Sequence, residues 1–239
     1  MPDYLVFQLY GPMSAWGDIA VGETRRSAPH PSKSAVLGLM AATLGIDRNE
    51  ETTHCAMASA YGFAVKVLSS GTLLVDYHTV QVPGQRRKAI FRTRKDELAE
   101  SKLGTLLSSR EYRCDSAYVA ALWVEQMPEP FSLVELENAI KAPKYTPYLG
   151  RKSCPMTIPI APKVETFDTL RMALDSRESF EKEMSRISRN QPCLYYWDDS
   201  PHSGLMSEQS MERWDLTHSR IRWQFSPRLE KMCVLKKEE

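Results

Sequence analysis

P-S-K-S-A-V-L-G-L-M-A-A-T-L-G-I, at residues 31–46, is the clearest structural signal in this chain of 239 residues. Its first four residues form a helix-start signal, and the uncharged apolar run that follows ends near Gly45. A run of this length falls well short of the roughly 20 apolar residues that a membrane span requires. The segment therefore predicts a helix buried in a globular domain.

Strand-like segments flank this helix on both sides. The apolar, β-prone residues 4–9 precede it, and Gly11-Pro12 is expected to end that strand, so that a long loop joins strand to helix. Residues 60–68 and 72–80 follow the helix as two further strands. Ser69-Ser70-Gly71 between them is typical of a hairpin turn. The predicted order is β-α-β-β.

A second strand and helix complete this unit. Residues 114–124 return to strand character. Ser132 and Glu135 form a capping box that begins a helix through about Lys141, and Pro143 ends it. The succession predicts an α+β fold with a ferredoxin-like or RRM-like palm at residues 1–80 and 110–160.

The C-terminal region, residues 161–239, is predicted to contain one charged amphipathic helix over 166–187. Short strands at 194–197, 221–225 and 232–235 would complete a second small β unit.

An insert interrupts the palm at residues 81–109. From Gln81 to Arg113 the chain has nine basic residues against four acidic ones, a local charge of +5, with Arg86, Arg87 and Lys88 in a row. Apolar residues such as Phe91 and Leu107 favour a segment that folds on a partner or on RNA. We predict a protruding basic β-hairpin, a thumb, and the alternative is a solvated disordered loop.

Composition limits the possible functions. The net charge of +1 excludes a uniformly basic nucleic-acid coat, so any such binding depends on local charge. Five cysteines without a C-x-x-C pair argue against a disulfide framework or a thiolate metal site. The N-terminus does not fit a secretory signal. We expect a cytoplasmic protein without metal or cofactor.

Three segments combine residue types that suit RNA. The loop 11–17 contributes Met13, Trp16 and Gly17, and an exposed indole could stack a base, although Met13 and Trp16 could instead cover the sheet edge. The loop 23–34 combines Arg25, Arg26 and His30 with a helix N-terminus that favours an anion, or it is simply solvated. Residues 141–153 carry four cations and two tyrosines with no acid among them, a composition suited to single-stranded RNA.

Catalytic patterns are sparse in this sequence. Tyr77 and His78 could serve metal-free RNA cleavage by general acid-base chemistry. The five histidines fall in no metal-ligand spacing, and no nucleotide-binding motif occurs.

Five motifs in order resemble the Cas-five family, E subtype, of the type I-E CRISPR Cascade complex, over roughly the first two thirds of the chain. They are G-P-M-S-A-W-G at 11–17, S-A-V-L-G-L-M-A-A-T-L-G-I at 34–46, D-Y-H-T-V at 76–80, R-E-Y-R-C-D at 110–115 and Y-T-P-Y-L-G-R-K-S-C-P at 145–155. A glycine-rich loop near the C-terminus, common in the wider superfamily of repeat-associated proteins, is missing.

The resemblance implies a palm with a thumb and a subunit that caps the complex at the 5′ handle of the CRISPR RNA. Its partners would be that RNA, the adjacent Cas-seven backbone subunit and the large subunit, with target DNA nearby. The subtype implies no catalysis, and a metal-independent repeat endoribonuclease is the alternative. The RNA-binding residues that it implies are Met13, Trp16, Gly17, Arg25, Arg26, Lys33, Ser34, Tyr77, His78, Arg110, Tyr112, Tyr145, Tyr148, Arg151 and Lys152.

Overall fold

A computed structural model describes residues 1–20, 22–84, 90–188, 191–200 and 202–235. Its strands form one mixed sheet in the order β5-β1-β4-β3-β6-β8-β7, with β2 pairing with β4 outside this path. The strands are β1 (Asp3–Ser14), β2 (Thr24–Arg25), β3 (Tyr61–Pro83), β4 (Leu103–Val124), β5 (Lys163–Thr166), β6 (Cys193–Asp198), β7 (Gln209–Ser219) and β8 (Gln224–Leu235). The helices are α1 (Lys33–Leu44), α2 (Glu51–Ala60), α3 (Arg94–Leu98), α4 (Leu133–Lys141), α5 (Leu170–Asp175) and α6 (Glu178–Ser188).

The two predicted helices of the palm are confirmed, and local chemistry explains their bounds. The Ser32 side chain accepts a hydrogen bond from the Ala35 backbone N–H at the start of α1. Gly45 ends α1 with φ of 78°, a left-handed conformation that glycine adopts without a steric penalty. Ser132 and Glu135 form the predicted capping box of α4.

Helices cover the sheet on both faces. Alternate residues of the central strands point to opposite sides, so Phe7 packs into one core and Val6 into the other. The first core contains the buried residues of α1, α2 and α4. The second contains those of α5 and α6. Burial on both faces explains why β1 is an apolar run without clear alternation.

Strand β1 does not end at Gly11-Pro12, which corrects the sequence prediction. Gly11 pairs with Ser116 and Met13 pairs with Cys114, so the pairing continues on both sides of the proline. Glycine is needed at position 11 for packing, because a Cβ there would lie 2.6 Å from the carbonyl oxygen of Pro155. The predicted chain break is therefore a close approach of backbone within the sheet.

The hairpin predicted at Ser69-Ser70-Gly71 is also wrong, because β3 runs through it without turning. The register shifts between Val67 and Ser69, and pairing with β4 then continues to Pro83 opposite Leu103. A β-bulge accommodates the turn-forming residues here, since one irregular residue bends a strand without ending it. Beyond this bulge the two strands form an extended pair whose residues are mostly exposed.

The C-terminal strands join the main sheet and do not form a separate β unit. Strand β6 pairs with β3, and β8 and β7 follow at that edge. The predicted single helix over 166–187 is two helices, because α5 ends at Asp175 and α6 begins at Glu178. Residues 220–223 form the turn between β7 and β8, so only the last two residues of the strand predicted at 221–225 belong to a strand, β8.

The basic triplet 86–88 of the predicted thumb lies outside the described residues. Within the described part of the chain, no helix is long and apolar enough to cross a membrane.

Candidate nucleic-acid interface

Three segments that are distant in sequence meet at the middle of strand β4. They are the loop after β1, β4 itself and residues 148–155. Strand β2 runs parallel to β4, with Thr24 opposite Ser109 and Arg25 opposite Arg110. The backbone N–H of Ser109 donates to the carbonyl oxygen of Glu23 over 3.0 Å. The loop after β1 is thereby fixed beside the exposed half of β4.

Arg151 joins the third segment, residues 148–155, to the other two. Its guanidinium donates to the carbonyl oxygen of Glu111 over 3.1 Å and to that of Arg25 over 3.3 Å. The same group lies 4.7 Å from the centroid of the Tyr112 ring, which is buried beneath it. Arg151 therefore positions the surface, with part of its hydrogen-bonding capacity already used.

Ser27 ties the same loop to the strand, a role that the sequence did not reveal. Its backbone N–H donates to the Glu111 carboxylate over 3.0 Å, and its hydroxyl accepts from the backbone N–H of Trp16 over 3.1 Å. Arg113 donates to its carbonyl oxygen over 3.5 Å. Gly17 pairs with Ser27 in an isolated bridge. These contacts fix the loop against β4.

The outer side of this junction carries four exposed cations, which we call the basic surface: Arg25, Arg26, Arg110 and Lys152. Within the described residues none of the four is in an ion pair with a carboxylate. The structure brings together the three segments that carry these cations. A local excess of positive charge of this kind favours binding of a polyanion.

The predicted aromatic residues divide into exposed and buried groups. Tyr145 and Tyr148 are exposed by 57% and 38%, so each presents a ring to solvent. Tyr145 lies beside the C-terminal end of α1, and its backbone N–H donates to the Ala42 carbonyl oxygen over 3.3 Å. Met13 is half-buried against the first core. The two tyrosines retain the predicted capacity to stack bases.

Trp16 does not present a face to solvent, which corrects the predicted stacking role. Only 2% of its surface is exposed, and its ring meets Tyr118 edge-on with centroids 5.8 Å apart. Its carbonyl oxygen accepts from the Ala28 N–H over 2.7 Å. The alternative that Trp16 packs into the protein is the one that the structure supports.

Tyr77 and His78 lie on the extended β3–β4 pair, where adjacent residues of a strand point to opposite faces. Tyr77 is 62% exposed and lies opposite Ser109, whereas His78 lies opposite Ser108 and contacts the carboxylate of Asp76. The two side chains therefore do not converge on one reacting atom. Within the described residues, no group of three or more metal-ligating side chains occurs either.

Comparisons with known proteins show the family of this chain. The family described as "CRISPR-associated protein (Cas_Cas5)" matches residues 4–229 of the chain. This chain belongs to the CRISPR-associated Cas5 family. The Cascade subunit CasD of Escherichia coli (strain K12) is 38% identical over 162 residues, which cover 67% of this Cas5 chain and 70% of CasD.

Two solved structures share the fold of this Cas5 chain. A chain of a CRISPR RNA-guided surveillance complex superposes with a TM-score of 0.65 at 20% identity, covering 98% of this chain and 90% of that one. A Cas protein crystal structure gives a TM-score of 0.63 at 23% identity, with coverages of 98% and 95%. The likeness extends over the C-terminal third, which the sequence motifs did not reach.

The N-terminus of α1 in this Cas5 chain is not an open phosphate site, contrary to the prediction. The Lys33 backbone N–H donates to the Asp215 carboxylate over 2.9 Å, and the Lys33 ammonium donates to Asp198 over 2.9 Å. The Ser34 hydroxyl lies 3.2 Å from that of Ser32. A carboxylate of the protein itself therefore occupies the place where an anion would bind.

Arg228 is the centre of a buried charge network beside this helix start. Its guanidinium donates over 2.6 Å to each of three carboxylates, those of Asp198, Asp215 and Glu230. Burial alone would lower its pKa, but these carboxylates, with Asp198 foremost, raise it above its ordinary value. Arg228 therefore stays charged in the interior.

His30 and Arg213 extend this network toward the loop. Arg213 lies 3.3 Å from Glu230 and donates to the imidazole Nε2 of His30 over 2.9 Å. Burial, and next the charge of Arg213, lowers the pKa of His30 to about 3. The imidazole is therefore neutral and accepts at Nε2, while its Nδ1 donates to the Pro31 carbonyl oxygen over 3.0 Å.

Gly150 controls the approach of the 148–155 segment to the loop after β1. It has φ of 84°, and a Cβ at this position would overlap the carbonyl oxygen of Ala15. The neighbouring Leu149 carbonyl oxygen accepts from the Ala15 N–H over 3.0 Å. Any side chain at position 150 must therefore separate two segments that border the basic surface.

We expect Gly150→Ala to lower the free energy of unfolding by about 1–3 kcal/mol, because it combines a strained φ with an overlap. RNA affinity should fall as well, since Arg151 moves with the segment. Chemical denaturation and RNA titration of the same preparation measure both effects. Gly17→Ala is the control, because a Cβ there meets nothing within 4 Å. Equal stability of the two variants would contradict this role of Gly150.

Proposed function

We propose that this Cas5 chain is a non-catalytic subunit of a type I-E Cascade complex that binds the 5′ handle of the CRISPR RNA. The observation that carries the proposal is the basic surface. Its four cations come from β2, the loop after it, β4 and the 148–155 segment, and they form no ion pair with another described residue. Cations neutralise phosphates, and the exposed Tyr145 and Tyr148 can stack unpaired bases. The similarity to CasD, a Cascade subunit, supports the same assignment.

In this proposal the palm, residues 1–80 and 110–160, holds the RNA. With β2, α2 and α3 set aside as additions, the order β1, α1, β3, β4, α4, β5 matches the β-α-β-β-α-β succession of ferredoxin-like domains, which supports this palm. The thumb, residues 81–109, would continue the extended β3–β4 pair and contact the adjacent Cas-seven subunit. The large subunit would be a further partner, with target DNA close by in the assembled complex.

The absence of catalysis is part of the proposal, and the extended pair supports it. Tyr77 and His78, the residues of the alternative endoribonuclease, project from opposite faces of β3. A general acid and a general base must both come within hydrogen-bond reach of the same substrate. Repeat RNA incubated with the purified chain should stay intact. Specific cleavage that is lost in His78→Ala would favour the endoribonuclease instead.

The binding test replaces three cations of the basic surface, Arg26, Arg110 and Lys152, with glutamine in one variant. Each contact to a single strand contributes about 0.7 to the slope of log affinity against log salt, so the slope should fall by about 2. The affinity at low salt should drop about tenfold or more. Titration of CRISPR RNA carrying its 5′ handle, over a series of salt concentrations, measures both quantities.

A matched control removes three exposed cations that lie elsewhere and are already paired with carboxylates: Lys163, Arg171 and Lys182. This control lowers the net charge by the same three units, so it separates contacts at the basic surface from the effect of net charge. Equal losses in the two triple variants would contradict the assignment of the basic surface. An RNA with a scrambled handle tests whether the handle itself is recognised.

A further inference from the structure

The turn between β7 and β8 carries a second group of cations, arranged around an exposed tryptophan. The Trp223 side chain is 56% exposed. The guanidinium of Arg48, from the segment after α1, lies 4.5 Å from its ring centroid, and that of Arg220 lies 5.4 Å away. Phe225 meets the same ring edge-on at 5.4 Å. The ring therefore serves as a platform that holds two guanidinium groups.

These cations, together with Arg222 in the same turn, have no ion-pair partner among the described residues. The carboxylate of Glu51 holds this turn in place. It accepts hydrogen bonds from the Ser219 hydroxyl over 2.9 Å and from the Ile221 N–H over 3.2 Å. Burial, and next the charge of Arg48, lowers the pKa of Arg220. Among the described residues, three arginines therefore surround this turn against the single carboxylate, that of Glu51, whose hydrogen bonds hold it.

The backbone of this turn is held in an unusual conformation. Trp223 has φ of 56°, in the left-handed region that a bulky side chain rarely adopts. Glycine or asparagine would relieve the strain at such a position. Strain of this kind persists where surrounding contacts fix it, and it concentrates at binding sites. Here it places the indole where Arg48 and Arg220 can stack on it.

We propose that this group, the turn patch of Arg48, Arg220, Arg222 and Trp223, binds the phosphate backbone of double-stranded nucleic acid. Guanidinium groups form forked hydrogen bonds with phosphate, and stacking on an aromatic ring leaves their N–H groups free to do so. Single-strand binding needs an open aromatic face for bases. The Trp223 ring instead stacks with Arg48 and meets the edge of Phe225, so the duplex backbone is the better fit.

The turn patch is separate from the basic surface, so this inference goes beyond the proposed function. Arg220 reaches the first turn of α1, where it donates to the Ser34 carbonyl oxygen over 3.4 Å. The basic surface instead lies along β2 and β4. One chain would then hold its RNA on one surface and a duplex on another.

The test compares the full-length chain with a double variant, Arg48→Gln and Arg222→Gln, because both side chains are exposed. Fluorescence anisotropy is measured with a duplex DNA of arbitrary sequence and with a single-stranded RNA of equal length. Each phosphate contact adds about 0.9 to the salt slope on a duplex, so the slope should fall by about 2. Duplex affinity should fall about tenfold, and single-strand affinity should change less than twofold or so.

Two further variants make the outcome decisive. Lys163→Gln with Lys182→Gln removes equal charge from paired positions and should leave duplex affinity unchanged. Trp223→Leu keeps every arginine but removes the platform, and it should weaken duplex binding. Duplex affinity that is unchanged in the arginine double variant would overturn the proposal, and so would an equal loss for single-stranded RNA. If the proposed handle binding fails instead, the Arg26, Arg110 and Lys152 variant shows it, while duplex binding persists.

Discussion

Replacing Arg228 with alanine is expected to lower the free energy of unfolding by about 3–5 kcal/mol, the usual cost of removing one partner from a buried ion pair. Only 7% of this side chain is exposed, and Glu230 beside it is 1% exposed. Alanine would leave the carboxylates of Asp198 and Asp215 without their strongest donor. The loss is a large share of the total stability of a typical domain, about 5–15 kcal/mol.

Chemical denaturation followed by circular dichroism measures this effect. Arg222→Ala is the matched control, because it removes an exposed arginine from the neighbouring turn and should change stability by less than about 0.5 kcal/mol. If Arg228→Ala does not fold, Asp198→Asn gives a milder test, since it keeps the shape and removes one charge. A change of less than about 1 kcal/mol in Arg228→Ala would show that the network does not stabilise the fold.

This network matters for function because it joins the two ends of the chain. His30 and Lys33 lie at the end of the loop that borders the basic surface. Asp198, Arg213 and Arg228 belong to the C-terminal strands. Loss of the network would therefore loosen the loop as well as the sheet edge. The C-terminal third thereby supports the predicted RNA-binding part of the chain.

The sequence predicted the features that neighbouring residues determine. The caps of α1 and α4 depend on Ser32, Gly45 and the Ser132–Glu135 pair, all within a few residues of the helix ends. The turns predicted at Gly11-Pro12 and at 69–71 were wrong, because strand pairing with β4 outweighed local preference. Glycine at position 11 serves a contact with Pro155 that local sequence cannot show.

Long-range contacts limited the prediction of the site in the same way. Arg25, Arg110 and Arg151 were all named from sequence, and the structure brings them together. Lys33 failed as a phosphate ligand because its partner, Asp198, lies 165 positions away. The spacing of the charged residues on β7 and β8 could have predicted this network. Residues two apart on a strand share one face, as do Arg213 and Asp215 on β7 and Arg228 and Glu230 on β8.

Trp16 gives the sharpest contrast between prediction and structure, because composition suggested a base-stacking surface and the fold buries it. Trp16→Ala should lower the free energy of unfolding by about 3–5 kcal/mol, the usual cost of deleting a buried large aromatic side chain. Thermal and chemical denaturation measure this loss. Exposed Tyr145→Ala is the control and should change stability by less than about 0.5 kcal/mol.

Trp16→Leu separates the two roles, since leucine fills much of the space but cannot stack a base. A stacking residue contributes about 1–3 kcal/mol to the binding of each base, so its loss would weaken RNA binding by roughly five- to a hundredfold or more. Because Trp16 packs against Tyr118 and is 2% exposed, we expect Trp16→Leu to bind handle RNA within about threefold of the parent chain. Tyr145→Leu, by contrast, should lose the full stacking contribution while remaining as stable as the parent chain. A large loss of affinity in Trp16→Leu with unchanged stability would mean that the indole leaves the core to meet the RNA.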